Sequence, residues 1–267
     1  MLKLVDLLTE GVYDKGVLNA FFMAGGPGSG KSYVAQELFG IPKKINLTIQ
    51  GLKTVNSDTE FEYLLKKYGF ETVGGGLDLD LWPDEVFKMV AVGDEDSDDL
   101  TLRKKAKLLT KARKEQYMEG RLGMIIDGTG HDYTKLSKEK KQLEELGYDC
   151  YMIFVNTSLE VAKERNQKRA RSLPEDILVK SWKNVQDNLG KFQGLFGNKF
   201  VVVDNSKFMK PEEAQKKFGM LVKKYIDKWI KRPVRNKKGR MWFKHNLILK
   251  GFGKKRRQNK KLKAGSK

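Results

Sequence analysis

The sequence has little with which to staple itself or ligate a metal. It holds one cysteine, Cys150, in 267 residues, so no internal disulfide can form, and the apolar run 150–155 suits a small buried hydrophobe better than a reactive thiol. The two histidines, His131 and His245, have no companion ligands at metal-binding spacing. No stretch approaches the roughly 18–20 apolar residues of a membrane helix. The N-terminal MLKLVDLLTEGVYD carries acids where a secretory signal would be basic and then apolar. A cytoplasmic chain with no membrane association is expected.

Acids are missing from one region. Of the 53 basic residues, 16 fall in 231–267, where there is no Asp or Glu, leaving 37 basic against 34 acidic residues elsewhere. The net charge of +19 is therefore a property of the tail, and the body is electrostatically ordinary. The length fits one catalytic body: residues 1–230, with a tail 231–267 that is disordered alone or docks on a partner.

Short apolar runs at 17–24, 52–55, 122–126, 151–155 and 200–203 read as buried strands. Helical patterns at 59–68, 102–119, 133–146, 159–170 and 174–189 separate most of them. Alternation of this kind implies a parallel α/β sheet covered on both faces, because parallel neighbours need crossover connections. Residues 74–99 break the rhythm with a glycine triplet and the acidic GDEDSDD; they read as an insertion long enough to cover a substrate. Ser172, Pro174 and Glu175 read as a capped helix start, with Ser172 as cap, which makes the preceding arginine-rich segment a hinge.

Between the first run and its helix stand Gly25, Gly26, Pro27, Gly28, Ser29, Gly30, Lys31 and Ser32. These complete the pattern G-x-x-x-x-G-K-[ST]. The glycines let successive N–H groups turn inward on phosphate oxygens, and the following helix offers its positive end to the same anion. Lys31 reaches the β and γ phosphates, and the Ser32 hydroxyl completes a Mg²⁺ shell. ATP with Mg²⁺ is the expected ligand.

Asp127 closes the apolar run GMIID, which puts a carboxylate where ligands of open α/β sheets collect. It is the best Walker-B-like candidate, as a Mg²⁺ ligand through water or an acceptor contact; the alternative is a turn-forming Asp before Gly. Asp58 also follows a strand. It serves equally well as the acid that orients a hydroxyl acceptor or as the N-cap of helix 59–68. Arg165, Arg169 and Arg171 lie together at the hinge, and guanidinium is the side chain that grips a transferring phosphoryl group.

GGPGSGKS, VNSD, IIDGTG, a helix ending RNQKRAR and a final FVVVDNS together resemble P-loop kinases of the zeta-toxin and polynucleotide-kinase group. Within it, the chain is similar to kinase-like proteins of tailed phages, over 17–205. The resemblance implies a P-loop NTPase fold, with a five-stranded parallel sheet in the order 2-3-1-4-5 flanked by helices. It implies Asp58 as the acceptor-site acid, Asp127 as a second acid near the acceptor, and Arg165, Arg169 and Arg171 as lid arginines. Asn205, with Ser206, would neighbour the adenine, and a phage protein would work in the host cytoplasm. The insertion and the tail have no counterpart in that pattern.

The reading is an ATP-dependent phosphotransferase acting on a hydroxyl, on a nucleotide sugar or a polynucleotide end among other acceptors. A nucleic-acid-associated NTPase and a non-catalytic nucleotide-binding module are the alternatives. The charge of the tail favours a polyphosphate partner through counterion release, with Trp242 and Phe243 free to stack on bases or to form a docked helix turn.

Overall fold

The strand runs are continuously apolar because the sheet they build is buried on both faces. The computed structural model describes residues 10–40, 48, 51–68, 101–168, 174–207 and 209–249. Its first half runs α1 (Glu10–Tyr13), β1 (Asn19–Ala24), α2 (Lys31–Phe39), β2 (Lys53–Val55), α3 (Ser57–Lys67), α4 (Leu102–Glu119) and β3 (Met124–Asp127). The second half runs α5 (Tyr133–Leu146), β4 (Asp149–Asn156), α6 (Leu159–Gln167), α7 (Glu175–Asp187), α8 (Leu189–Phe196), β5 (Phe200–Asp204), α9 (Pro211–Leu221), α10 (Asp227–Ile230) and α11 (Lys237–Leu249). The five strands are all parallel, in the order β2-β3-β1-β4-β5, as the resemblance implies.

Alternation along each central strand divides two cores. Ala20, Phe22 and Ala24 of β1, with Cys150, Met152 and Phe154 of β4, face Leu136, Leu143, Phe192 and Phe196. Phe21 and Met23, with Tyr151, Ile153 and Val155, face Val34, Leu38, Phe218 and Trp229. In the second core Phe21 stacks on Tyr151 (ring centroids 5.0 Å apart) and Tyr151 on Trp229 (4.7 Å), which ties α10 to the sheet. Truncating so buried an aromatic costs about 3–5 kcal/mol. Cys150 is free and buried, and burial pushes its thiol well above the ordinary range, so it stays protonated and inert.

Several helix ends differ from the sequence reading. α3 starts at Ser57, and its cap is Asn56, whose Oδ1 accepts from the Asp58 amide at 2.8 Å; Asp58 is not the cap. α7 starts at Glu175 with Pro174 as its cap and no side-chain cap bond, so Pro174 lies outside the first turn. The helical pattern 174–189 is two helices. They break at Asn188, whose Nδ2 donates to the carbonyls of Gly130 (3.1 Å) and His131 (3.0 Å). The insertion 74–99, Arg169, Arg171 and Ser172 lie outside the described residues.

The boundary placed at 231 falls inside folded structure. The Arg235 amide donates to Asp149 Oδ2 (2.6 Å), and Asn236 Nδ2 donates to the carbonyls of Glu144 (2.7 Å) and Tyr148 (3.2 Å). Val234, Trp242 and Phe243 pack on the first core. Gly239 is buried against Gly147: a Cβ on Gly239 would stand 2.1 Å from the Gly147 carbonyl oxygen, so only glycine fits there. α11 is thereby fixed at the N-terminal edge of β4.

Candidate functional site

The carboxyl ends of the parallel strands bring Gly25, Asn56, Asp127, Asn156 and Asn205 to one edge of the sheet. The loop 25–30 leaves β1 there. Its shape needs left-handed backbone at Gly28 (φ 72°) and Gly30 (φ 75°), which glycine adopts without a Cβ penalty. Gly30 caps α2 with no side-chain bond, and the Val34 amide is the first to bond back to it, at 3.0 Å. The amides of the first turn therefore keep their donors for an anion.

The loop is braced from outside. Arg165 of α6 directs Nη1 at the carbonyls of Gly28 (3.2 Å) and Ser29 (3.4 Å), and Asn205 Nδ2 donates to the Ser29 carbonyl at 2.8 Å. Burial of the Arg165 guanidinium works against its charge, lowering its pKa, and Glu164 opposes that effect. Trp182 of α7 lies along Gly26, where a Cβ would sit 3.5 Å from the Trp182 Cα, and its Nε1 donates to the Thr157 carbonyl at 2.9 Å. With carbonyls held outward, the inward-facing groups are amides.

Lys31 Nζ lies 3.1 Å from Asp127 Oδ1. That oxygen is buried and makes no hydrogen bond in the protein, so the pair is a charge contact without hydrogen-bond geometry. Asp127 Oδ2 accepts from Asn56 Nδ2 at 3.0 Å. Ser32 is exposed at the start of α2. A carboxylate oxygen short of donors, an exposed hydroxyl and a cradle of free amides fit a phosphate chain with a hard cation.

The other expected residues fall as follows. Asp58 is exposed beside this edge and pairs with Arg103 of α4 at 2.6 Å. Arg165 is docked on the loop, as described, rather than standing clear of it. Asn205 is buried under the loop, its amide to Asn156 O at 2.8 Å. Ser206 Oγ accepts from the Ser158 amide (2.9 Å) and donates to Asp204 Oδ1 (2.6 Å), which holds that carboxyl below its usual range. Among the described residues, no group of His, Cys, Asp and Glu could hold a metal by itself, and His131 contacts Thr129. No helix of the described residues is long and apolar enough to cross a membrane.

Sequence reasoning missed Asn56, Trp182 and Asn188. Asn56 had a signal, since it directly follows a strand and precedes a helix, a position rich in caps.

A family model described as an AAA domain matches residues 21–191. No curated protein matches the chain. Among solved structures, it is similar to a chain of the Pnkp1/Rnl/Hen1 RNA repair complex (19% identity, TM-score 0.43, covering 66% of this chain and 46% of that one). It is also similar to a gluconokinase from Sinorhizobium meliloti (16%, 0.36, 78% and 95%). A third similar structure belongs to the PezAT toxin–antitoxin system of Streptococcus pneumoniae (12%, 0.42, 81% and 88%).

Proposed function

The chain belongs to the AAA domain family, and on that premise we propose that it is an ATP-dependent phosphotransferase that moves the γ-phosphoryl group of ATP to a hydroxyl acceptor. The observation that carries this reading is the grouping of Lys31, Ser32, Asp127 and Asn56 at the mouth of the loop 25–30. A nucleotide-binding module without catalysis would have no need of an acid held in place by an amide donor.

In this reading the loop 25–30 and the α2 N-terminus wrap the phosphates, with the Gly26, Gly28 and Gly30 amides as loop donors, since Pro27 has no N–H and the Gly25 and Ser29 amides donate to the Thr129 and Gly26 carbonyls (both 3.1 Å). Lys31 leaves Asp127 and neutralises charge on the β and γ oxygens. Ser32 Oγ and Asp127 Oδ1 are the groups that would hold Mg²⁺, directly or through water. Bound Mg²⁺ supplies Lewis-acid charge stabilisation of the transferring phosphoryl group. Asn56, occupying Oδ2, leaves Oδ1 as the carboxylate face turned to the phosphates.

Asp58 orients the acceptor hydroxyl and takes its proton. Its exposure and its partner Arg103 suit a group that meets substrate from solvent. Arg165 acts through the loop it grips, and Arg169 and Arg171 serve as lid cations over the phosphoryl group. Asn205 supports the loop beneath the nucleotide. A nucleotide sugar and a polynucleotide end stand among the acceptors that this reading admits, and a phage origin would set the reaction in host cytoplasm.

The test is incubation of the protein with γ-labelled ATP and an acceptor panel, beside Lys31→Ala. Label on a hydroxyl acceptor with wild type and none with Lys31→Ala is expected. Tight nucleotide binding with no transfer to any acceptor would overturn the reading.

A further inference from the structure

We propose that the face built by 231–249 is a nucleic-acid-binding surface, separate from the phosphate loop and on the opposite edge of the sheet. Seven Lys and Arg and no acid fall in this segment. Lys231, Arg235, Lys237, Lys238, Arg240 and Lys244 are exposed. Lys231 is paired with Asp227 (3.3 Å), whereas no acid among the described residues pairs with Lys237, Lys238, Arg240 or Lys244.

The surface is held rigidly. Asn236 caps α11 through the amides of Lys238 (2.9 Å) and Gly239 (3.4 Å) while its Nδ2 bonds the end of α5. Trp242 and Phe243 turn inward onto the first core, so they anchor the helix instead of stacking on bases. Lys237, Arg240 and Lys244 then share one stripe, spaced i, i+3, i+7 and spanning about 10 Å. Lys237 and Lys238 stand in the first turn, which holds no acid. There they add to the positive end of the helix dipole rather than offsetting it. An ordinary surface helix would carry acids at that end; cations there favour an anion.

The position follows from register. Asn19 pairs with Asp149 at the start of β1 and β4, and Asp149 is the residue that holds Arg235. The loop 25–30 begins after Ala24, the far end of β1. The two sites are therefore about 20 Å apart along the strands. Polyphosphate bound on α11 is held without occupying the nucleotide loop of the same molecule. The surface tethers the protein to nucleic acid, whatever reaction the loop performs. A lipid surface is the competing anion, and exposed Met241, Ile248 and Leu249 are what it would use. Met241 and Ile248 follow Lys237 and Lys244 by four residues on the same face, whereas the exposed residues of the first turn, Lys237, Lys238 and Arg240, are all cationic.

The experiment is fluorescence anisotropy of labelled single-stranded and duplex oligonucleotides, DNA and RNA, across a salt series. Full-length protein is compared with the K237Q/K238Q/R240Q/K244Q variant, and a fluorescent ATP analogue is titrated into both. Each phosphate contact contributes about 0.7–0.9 to the log–log salt slope. The variant should lose about three units of slope and at least about tenfold in affinity at physiological salt. Its affinity for the ATP analogue should be unchanged, which also shows that it is folded. Three results overturn the proposal: equal oligonucleotide binding by both proteins, oligonucleotide displaced by the ATP analogue, or tighter binding to phosphatidylserine vesicles than to any oligonucleotide. Failure of phosphoryl transfer leaves this measurement unaffected.

Discussion

Asn56 donates its side-chain amide to Asp127 Oδ2 across 3.0 Å while its own Oδ1 accepts from the Asp58 backbone amide at 2.8 Å. One side chain thus fixes the orientation of the strand-end carboxylate and the start of the helix that carries the exposed acid. Both ends of the amide are used, so it cannot flip without breaking both bonds.

These two jobs separate by substitution. Asn56→Ser keeps an N-cap acceptor but is too short to reach Asp127, whereas Asn56→Ala loses both. We expect Asn56→Ser to retain stability within about 0.5 kcal/mol and Asn56→Ala to lose about 1 kcal/mol. Both should lose about 10- to 100-fold in Mg²⁺ affinity or turnover, as when a ligand's hydrogen-bond partner is removed. Urea unfolding and a Mg²⁺ titration of turnover make the check; wild-type behaviour of Asn56→Ser would show that Asp127 is oriented without the amide.

Asp58→Asn should cost about 10²- to 10⁴-fold in transfer with ATP affinity nearly unchanged. Its thermal midpoint should hardly move, since Asn56 is the cap and the exposed pair with Arg103 is worth about 0–1 kcal/mol. A drop in midpoint with normal transfer would remove Asp58 from the acceptor site.

Arg165→Ala takes the donor from the Gly28 and Ser29 carbonyls, so it should weaken nucleotide binding by about tenfold or more while the rate constant at saturation changes little. The double replacement of Arg169 and Arg171 by Ala should do the reverse, lowering transfer far more than ground-state binding. Binding and single-turnover measurements on both variants distinguish a brace from a lid; identical patterns would refute the distinction.

Ending the chain after Leu249 should leave the fold and ATP binding intact. Ending it after Ile230 removes α11 and takes Asn236 from the buried Tyr148 carbonyl and the Arg235 amide from the buried Asp149 Oδ2, while the Glu144 carbonyl keeps the Gly147 amide (3.1 Å). Each stranded buried group costs about 1–3 kcal/mol, beyond the packing of Trp242 and Phe243. Denaturant melts of the two truncations provide the measurement, and equal stability would mean that α11 does not support the core.

The phosphate loop was legible because its glycines, Lys31 and Ser32 are contiguous and each has a local job. Asp127 was legible because an apolar run ended on an acid. Other parts were written in contacts that sequence spacing does not display. Arg165 reaches Gly28 from 137 positions away, and Asn56 reaches Asp127 from 71. In 231–249 the charge hid a fold element whose close backbone approach to the body is Gly239 on Gly147, a pair with no side chains to form a pattern. The break at Asn188 was hidden because Asn188 bonds to carbonyls outside its own helix.

The bracing of Ser29 by Asn205, beside Arg165, bears on how fast a ligand can be captured. The loop is shaped by folding, so the ordering entropy of its backbone is lost once, when the protein folds, and not again at each encounter. Association should then behave as docking onto a rigid receptor, with a single-phase, concentration-proportional approach to equilibrium.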